Sequence, residues 1–415
     1  MATTSRIFMT VLQRIKLLSI LDVLFILILV TLPLGVYVIN SIAVAFFFVY
    51  AFYLNIKTKQ GFHFSRLGYF FVALYILFVF SLIWTNNIEN TRLGLERFLS
   101  YLILPITFAL LHKSKINKNL VLKIFSNTLV LYAIYCISFG VLKVLRFGDK
   151  KFLFYHDLSG NLSQLNAIYL SVFTSLAICF LLFKEVKSKK DYIKATFLML
   201  FLLLLSSKII IATVFTIIGF RFFFTITKKI NFKKWLLYLP FFLIIIALSS
   251  YKLSNRIKVE FQETNLSEVL ETKDFGHVYL WTGFGLRAFQ VKVFFEIVKE
   301  KEVFWLGLGL NNSQDVLKEK YKEYNLYPGF YYYNFHNQYL QVFAELGFIG
   351  LILLLSAFYI ILRKAINTKD YFLLSFIILI LVVCITESFL WRQRGMVCFI
   401  ALALLLTKKN NYILD

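Results

Sequence analysis

The stretch Asn334-Phe335-His336-Asn337-Gln338-Tyr339-Leu340 places an imidazole among amides, just before an apolar run that ends at Leu351. An imidazole can take or give a proton, so this boundary is either the working end of an enzyme or ordinary interfacial polarity. Three cations, Lys208, Arg392 and Arg394, flank other apolar segments, a fourth, Arg287, lies in the long polar segment that holds His336, and Glu387 lies close to Arg392 and Arg394. Several cations held at one face make an anion site, and arginine forks match the oxygens of a phosphate or diphosphate. Lys208 following two serines can equally snorkel to an interface, and Arg287 can salt-bridge within its own segment. Gly307-Leu308-Gly309 before a helix can present backbone amides to phosphate, although a plain turn explains it better. No carboxylate pair has metal or glycosidase spacing, so no metal is expected. Surface roles account for His156 and His277.

What positions these groups follows from composition. At 415 residues, 60% hydrophobic and 16% charged, the chain is too apolar for a soluble globule. Runs near the length of a bilayer crossing recur from end to end. Cys136, Cys179, Cys384 and Cys398 sit in apolar segments without paired spacing and read as small hydrophobes. No small-residue cleavage site follows the first apolar run, so it reads as a retained helix. The expected architecture is an all-α polytopic membrane protein with about twelve transmembrane helices. Their spans are 18–37, 39–56, 67–85, 98–112, 119–144, 164–183, 192–207, 208–227, 235–250, 340–362, 371–389 and 394–407. The apolar block 195–227 is too long for one span and is divided at Ser206-Ser207-Lys208.

A net charge of +23 would suggest nucleic acid in a soluble protein. Here its placement says otherwise. Lysine and arginine concentrate in alternate loops, which puts both termini in the cytoplasm by the positive-inside rule and excludes a nucleic-acid partner. The outer loops hold Arg92, Arg97, Arg146, Lys150, Lys151, Lys208, Arg392 and Arg394. Three regions result: helices one to nine over 1–250, a large outer loop over 251–338, and helices ten to twelve with the tail over 339–415. In the loop, Val291, Phe294, Phe295 and Val298 predict one amphipathic helix. A second is predicted after an Asn312 or Ser313 cap, with Val316, Leu317, Tyr321 and Tyr324 on one face. The pair would form a cap on the outer membrane surface, and two helices packed only on the domain beneath fit the periodicity equally well.

On a continuous helix, Gln338, Gln341 and Glu345 share a face, and His336 falls opposite Glu345. Glu345 therefore reads as structural, inside the bundle. Gly347 and Gly350 would admit a neighbouring helix. A transporter or lipid flippase would also have twelve spans, but should show related halves and polar residues near the midplane. No repeat is visible here, and the polar groups collect at one face.

Phe335-His336-Asn337-Gln338-Tyr339-Leu340, followed by Glu345-Leu346-Gly347-Phe348-Ile349-Gly350-Leu351, resembles the signature of the O-antigen ligase / O-antigen polymerase family of bacterial membrane glycosyltransferases. Arg287 with Phe304-Trp305-Leu306-Gly307-Leu308-Gly309, and the Ser206-Ser207-Lys208 turn, resemble further family motifs. So does Glu387-Ser388-Phe389-Leu390 with Gln393-Arg394-Gly395. Lys208 departs from an arginine, and Trp391 stands where similar sequences often carry an acid. The resemblance implies a GT-C-like enzyme of the bacterial inner membrane with its site facing the periplasm. Its donor would be a glycan on undecaprenyl diphosphate, its acceptor lipid A-core or another glycan, and it would use no cofactor. It implies His336 as general base and Arg287, Lys208, Arg394 and Arg392 as diphosphate-binding cations, with Asn337, Tyr339 and Glu387 in support. A ligase fits the single large loop, and a polymerase shares the same residues.

Overall fold

The structure, a computed structural model, describes residues 19–163, 165–229 and 264–408, and its described residues form helices and turns without strands. Among the described residues, five helices are long and apolar enough to cross a membrane: Tyr37–Thr58, Arg66–Ile83, Ile88–Leu110, Lys118–Phe147 and Gln338–Thr368. Shorter apolar helices cover Ile20–Leu34, Ala167–Phe183, Tyr371–Thr386 and Gln393–Thr407. Helices thus stand where the hydropathy places apolar spans, except that 235–250 lies outside the described residues. The division of 195–227 also holds, because a helix ends at Leu204 and another begins at Lys208. Between them Ser206 takes a left-handed backbone, φ 52°, which no α-helix carries through.

The chain forms two compact units. The first comprises the described parts of Met1–Val72, Ser100–Leu205 and Val397–Asp415. Within it, α1 (Ile20–Thr31) and α2 (Tyr37–Thr58) pack as a hairpin. Asn40 of α2 donates to the Ile28 carbonyl at 2.9 Å and to Thr31 Oγ1 at 2.8 Å. Such bonds matter in an apolar bundle, where a polar group has no water to turn to. Phe25, Phe47 and Phe108 meet edge to face around them.

At the start of another helix of this unit (Lys189–Leu204), Asp191 pairs with Lys184 at 2.8 Å and accepts two 2.7 Å bonds from Ser188. Burial pulls the Asp191 carboxyl upward, but these donors outweigh it and hold the pKa low, at about 2. A depressed carboxylate stabilises the fold above its unfolded pKa and stops doing so as pH falls through the folded value. Asp191→Asn is therefore expected to lose about 2 kcal/mol at neutral pH. Denaturation of both proteins in detergent should show that difference shrinking as pH falls from about 4 to about 2.

The second unit comprises Ala73–Leu99 and the described parts of Ser206–Met396. It contains α3 (Ile88–Arg97), α4 (Lys208–Lys229), α5 (Gly283–Glu300), α6 (Ser313–Glu323), α7 (Gln338–Thr368) and α8 (Tyr371–Thr386). The segment between α4 and α7 has its own aromatic core. Phe275, Phe289, Val293, Phe294, Ile297, Leu317, Tyr321, Tyr324 and Phe335 are all buried in it. The inward face of α5 is Leu286, Phe289, Gln290, Val293, Phe294 and Ile297. Of the face predicted from sequence, Val291 and Phe295 point outward. The buried stripe keeps the same i, i+3, i+4 spacing but lies roughly 100° around the helix from the chosen one, so the two share only Phe294. The α6 face is closer to expectation, with Leu317 and Tyr321 buried.

Helix α7 is broken at Gly347, with φ 64° and ψ −164°. The backbone of residues 304–309 enters the break. The amides of Leu308 and Gly309 donate to Ala344 and Glu345 carbonyls at 2.8 and 2.9 Å, and Phe348 N–H donates to the Phe304 carbonyl at 2.8 Å. A side chain on Gly347 would coincide with the Trp305 backbone, and one on Gly307 would coincide with that of Glu345. Gly347 thus admits a loop segment rather than the neighbouring helix expected from the glycine spacing. Gly350 faces the side chain of Leu346 in its own helix.

Candidate functional site

His336 does not ride on a helix, as the periodicity argument assumed. It precedes α7 with a left-handed backbone, φ 44°, and Asn337 caps the helix by accepting Tyr339 N–H at 2.9 Å and Leu340 N–H at 3.1 Å. An asparagine there satisfies amides that the first turn leaves open. Phe335 is buried on one side of His336, and the Asn334 side chain accepts the His336 N–H at 2.9 Å. Gln290, fully buried in α5, donates to the Asn334 carbonyl at 2.7 Å and to the Tyr321 hydroxyl at 2.9 Å. The loop core therefore fixes the backbone from which the imidazole projects.

The imidazole meets Glu387. Nδ1 lies 3.3 Å from Glu387 Oε2, with the histidine side chain 25% exposed and the glutamate 7%. A carboxylate at Nδ1 favours the tautomer carrying its proton there, which leaves the Nε2 lone pair as a proton acceptor. Glu387 is the first residue after α8, and Arg287 holds the residue before it. Arg287 Nε and Nη2 donate to the Thr386 carbonyl at 3.2 and 3.1 Å, while Nη1 donates to the Gly283 carbonyl at 2.8 Å. Carbonyls at a helix C-terminus lack partners within the helix and carry its negative pole, so a guanidinium is well suited to them. Three of the five guanidinium N–H groups are occupied in this way, leaving two for an anion. Tyr339 donates to the Leu381 carbonyl of the same helix at 2.9 Å.

The other predicted residues are placed differently. Glu345 is buried away from the imidazole and accepts from Ser313 Oγ at 2.9 Å, Gln341 Nε2 at 2.8 Å and Trp391 Nε1 at 3.1 Å. Gln338 and Gln341 are buried on its face as expected, and Gln338 accepts Leu390 N–H at 2.7 Å. The indole N–H gives Trp391 a use that an acid at this position could not have: it donates to the buried Glu345 carboxylate. Its ring lies under two cations, with the guanidinium of Arg97 4.5 Å from the centroid and that of Arg392 5.2 Å. Arg394 is buried in the first turn of the last helix, and Lys208 is half-buried at the start of α4. The bonds that join His336, Glu387 and Arg287 use neither of them. The Gly307-Leu308-Gly309 amides are spent on Val303, Ala344 and Glu345 carbonyls, which removes them as a phosphate cradle.

Sequence reasoning missed Gln290 and Asn334 as positioning residues. A glutamine on the inward face of an otherwise apolar helix was the available signal for Gln290. Among the described residues, no group of three or more His, Cys, Asp or Glu is placed to hold a metal ion.

Helices without strands among the described residues, several of them apolar and of membrane length, are the construction of an integral membrane protein, and a histidine, a carboxylate and an arginine gather at one of its helix ends. Residues 193–355 match the model of the family described as O-Antigen ligase, a match that supports the O-antigen ligase / O-antigen polymerase family for this stretch of the chain. No curated protein matches the chain at a significant level.

Proposed function

We propose that the protein transfers a glycan from undecaprenyl diphosphate to an acceptor hydroxyl at the periplasmic face of the inner membrane, acting as an O-antigen ligase with lipid A-core as acceptor. The observation that carries this reading is the pairing of His336 with Glu387 directly beside the Thr386 carbonyl that Arg287 holds. His336 Nε2 takes the acceptor proton as the acceptor oxygen bonds to the anomeric carbon. The bond from that carbon to the diphosphate oxygen breaks, and the diphosphate leaves with the electron pair. It needs charge stabilisation more than protonation, which the two open N–H groups of Arg287 supply.

Lys208, Arg394 and Arg392 add positive charge from neighbouring helix ends. In the proposed twelve-span topology α4 and α8 run in opposite directions. Arg221 lies over the Tyr371 ring, 3.7 Å from its centroid. Lys208 and Cys384 are equally far along their helices from that contact, about 20 Å by the helical rise. This brings Lys208 to the level of Thr386 and Glu387. The aromatic-cored loop covers the site and excludes water that would hydrolyse the donor.

Purified protein given lipid-linked glycan and lipid A-core should form a new glycosidic bond, and failure with every acceptor tried would end the reading. A deletion strain separates ligase from polymerase. Long polymer left on the lipid carrier indicates the ligase, and a single repeat on lipid A-core indicates the polymerase. Arg287→Ala is expected to weaken donor binding by roughly tenfold or more, the scale of one lost charge-assisted contact. Titration of the lipid-linked donor into variant and parent measures this, and equal affinities would remove Arg287 from the diphosphate site.

A further inference from the structure

The loop carries a second feature at His336 that proton transfer and diphosphate binding leave unused. The Tyr333 ring meets the imidazole edge to face at 5.3 Å, and Phe330 meets Tyr333 at 5.4 Å. Tyr327 and Trp281 extend this aromatic row through Phe330, at 6.0 and 6.3 Å. Three tyrosines of this segment are exposed: Tyr332 79%, Tyr327 57% and Tyr333 40%. The segment is nevertheless fixed. Successive turns close through Phe330, Tyr331 and Tyr333 N–H groups, and Gln314 Nε2 donates to the Tyr331 and Tyr333 carbonyls at 3.1 and 3.0 Å. Exposed aromatic rings on a held backbone form a prepared contact surface, with little ordering left to cost affinity.

We propose that the Tyr327–Tyr333 segment is a ledge on which a sugar ring of the acceptor glycan stacks, presenting its hydroxyl to His336; this rests on the reading of His336 as the base. Aromatic faces carry negative potential and attract the C–H face of a sugar, while tyrosine hydroxyls bond to its rim. The ledge differs from the other exposed aromatic patch of this unit. Phe304 and Trp305 lie against Phe348 of α7, in line with exposed Ile349, Ile352 and Leu355. That patch lacks hydroxyls and continues the apolar helix face, as a lipid contact does. The tyrosine ledge has hydroxyls, is approached by Lys318, 5.8 Å from the Tyr332 centroid, and leads to the imidazole. Arg287, Glu387 and Trp391 with its arginines belong to the α8 end, which leaves the ledge side for the uncharged sugar.

The test uses glycan released by mild acid from the surface of the encoding bacterium and separated into core-oligosaccharide and repeat-unit fractions. Saturation transfer from aromatic protons of the full-length protein in detergent to either fraction is the expected result. Tyr332→Ala combined with Tyr333→Ala should weaken that binding about tenfold, in the lower part of the range for two aromatic contacts. Tyr332→Phe combined with Tyr333→Phe should retain most of it, which controls for folding. The measurement reads binding without turnover, so a failed base assignment leaves the ledge measurable. Absence of transfer to both fractions, or equal affinity in the double alanine variant, overturns the proposal and leaves the tyrosines as a lipid-contacting belt.

Discussion

His336→Ala in the purified, membrane-extracted protein is expected to abolish measurable glycan transfer, and Glu387→Gln to lower turnover by roughly 10²–10⁴-fold. The first change removes the group that accepts the acceptor proton. The second keeps the size of the side chain but exchanges a carboxylate for an amide whose nitrogen can donate. At 3.3 Å from Nδ1, such an amide would favour the tautomer with its proton on Nε2, where the lone pair is needed. An orienting carboxylate acts on the imidazole rather than the substrate, so Glu387→Gln should reduce turnover while leaving KM for the lipid-linked donor nearly unchanged. Both variants should elute from size exclusion like the parent, because His336 is only partly buried and the backbone around it is held by Asn334, Gln290 and Phe335. Transfer by His336→Ala at a rate near the parent's would exclude His336 as the base. Equal turnover in Glu387→Gln would leave the His336–Glu387 contact a structural one.

The sequence was most legible where one physical rule acts over many residues. Bilayer-length apolar runs located the helices, because every peptide group in lipid must be satisfied within its own segment. The break at Ser206-Ser207-Lys208 was visible for the same reason. At the site, residue types were readable but partners were not. His336 and Glu387 are far apart in the chain, and no local period relates them; their meeting depends on where α8 ends and how the loop folds onto it. The helical wheel separated Glu345 from His336 correctly, although its premise failed, since His336 precedes the helix with φ 44°. Glu345 instead answers to Gln341 one turn earlier in its own helix and to Ser313 and Trp391, which sit on quite different segments. Trp391 shows the limit most clearly. Its role is one N–H aimed at a carboxylate and one ring beneath two guanidinium groups, and neither can be read from a single position.

Gly347→Ala is expected to be the most damaging small substitution in the described part of the chain. Two costs combine. The backbone there, φ 64° and ψ −164°, belongs to a region that essentially only glycine occupies, which costs on the order of 1–3 kcal/mol for any other residue. The new Cβ would also occupy the place of the Trp305 backbone, which is rigid main chain and cannot swing aside as a side chain would. To make room, residues 304–309 must leave the break in α7 and give up the bonds from Leu308, Gly309 and Phe348. Each buried peptide group left without a partner costs about 1–3 kcal/mol more. The straightened helix that alanine favours would carry Gln341 and Glu345 out of register with Ser313 and Trp391. The loop core behind His336 would then lose its footing on α7. Gly347→Ala should therefore lower the unfolding temperature in detergent by several degrees or prevent accumulation of folded protein, and should expose the 304–309 amides to hydrogen exchange. Gly219→Ala provides the control, since no atom lies within 4 Å of the position its Cβ would take. If Gly347→Ala unfolds with Gly219→Ala and its 304–309 amides stay protected, the inserted segment is not what breaks the helix.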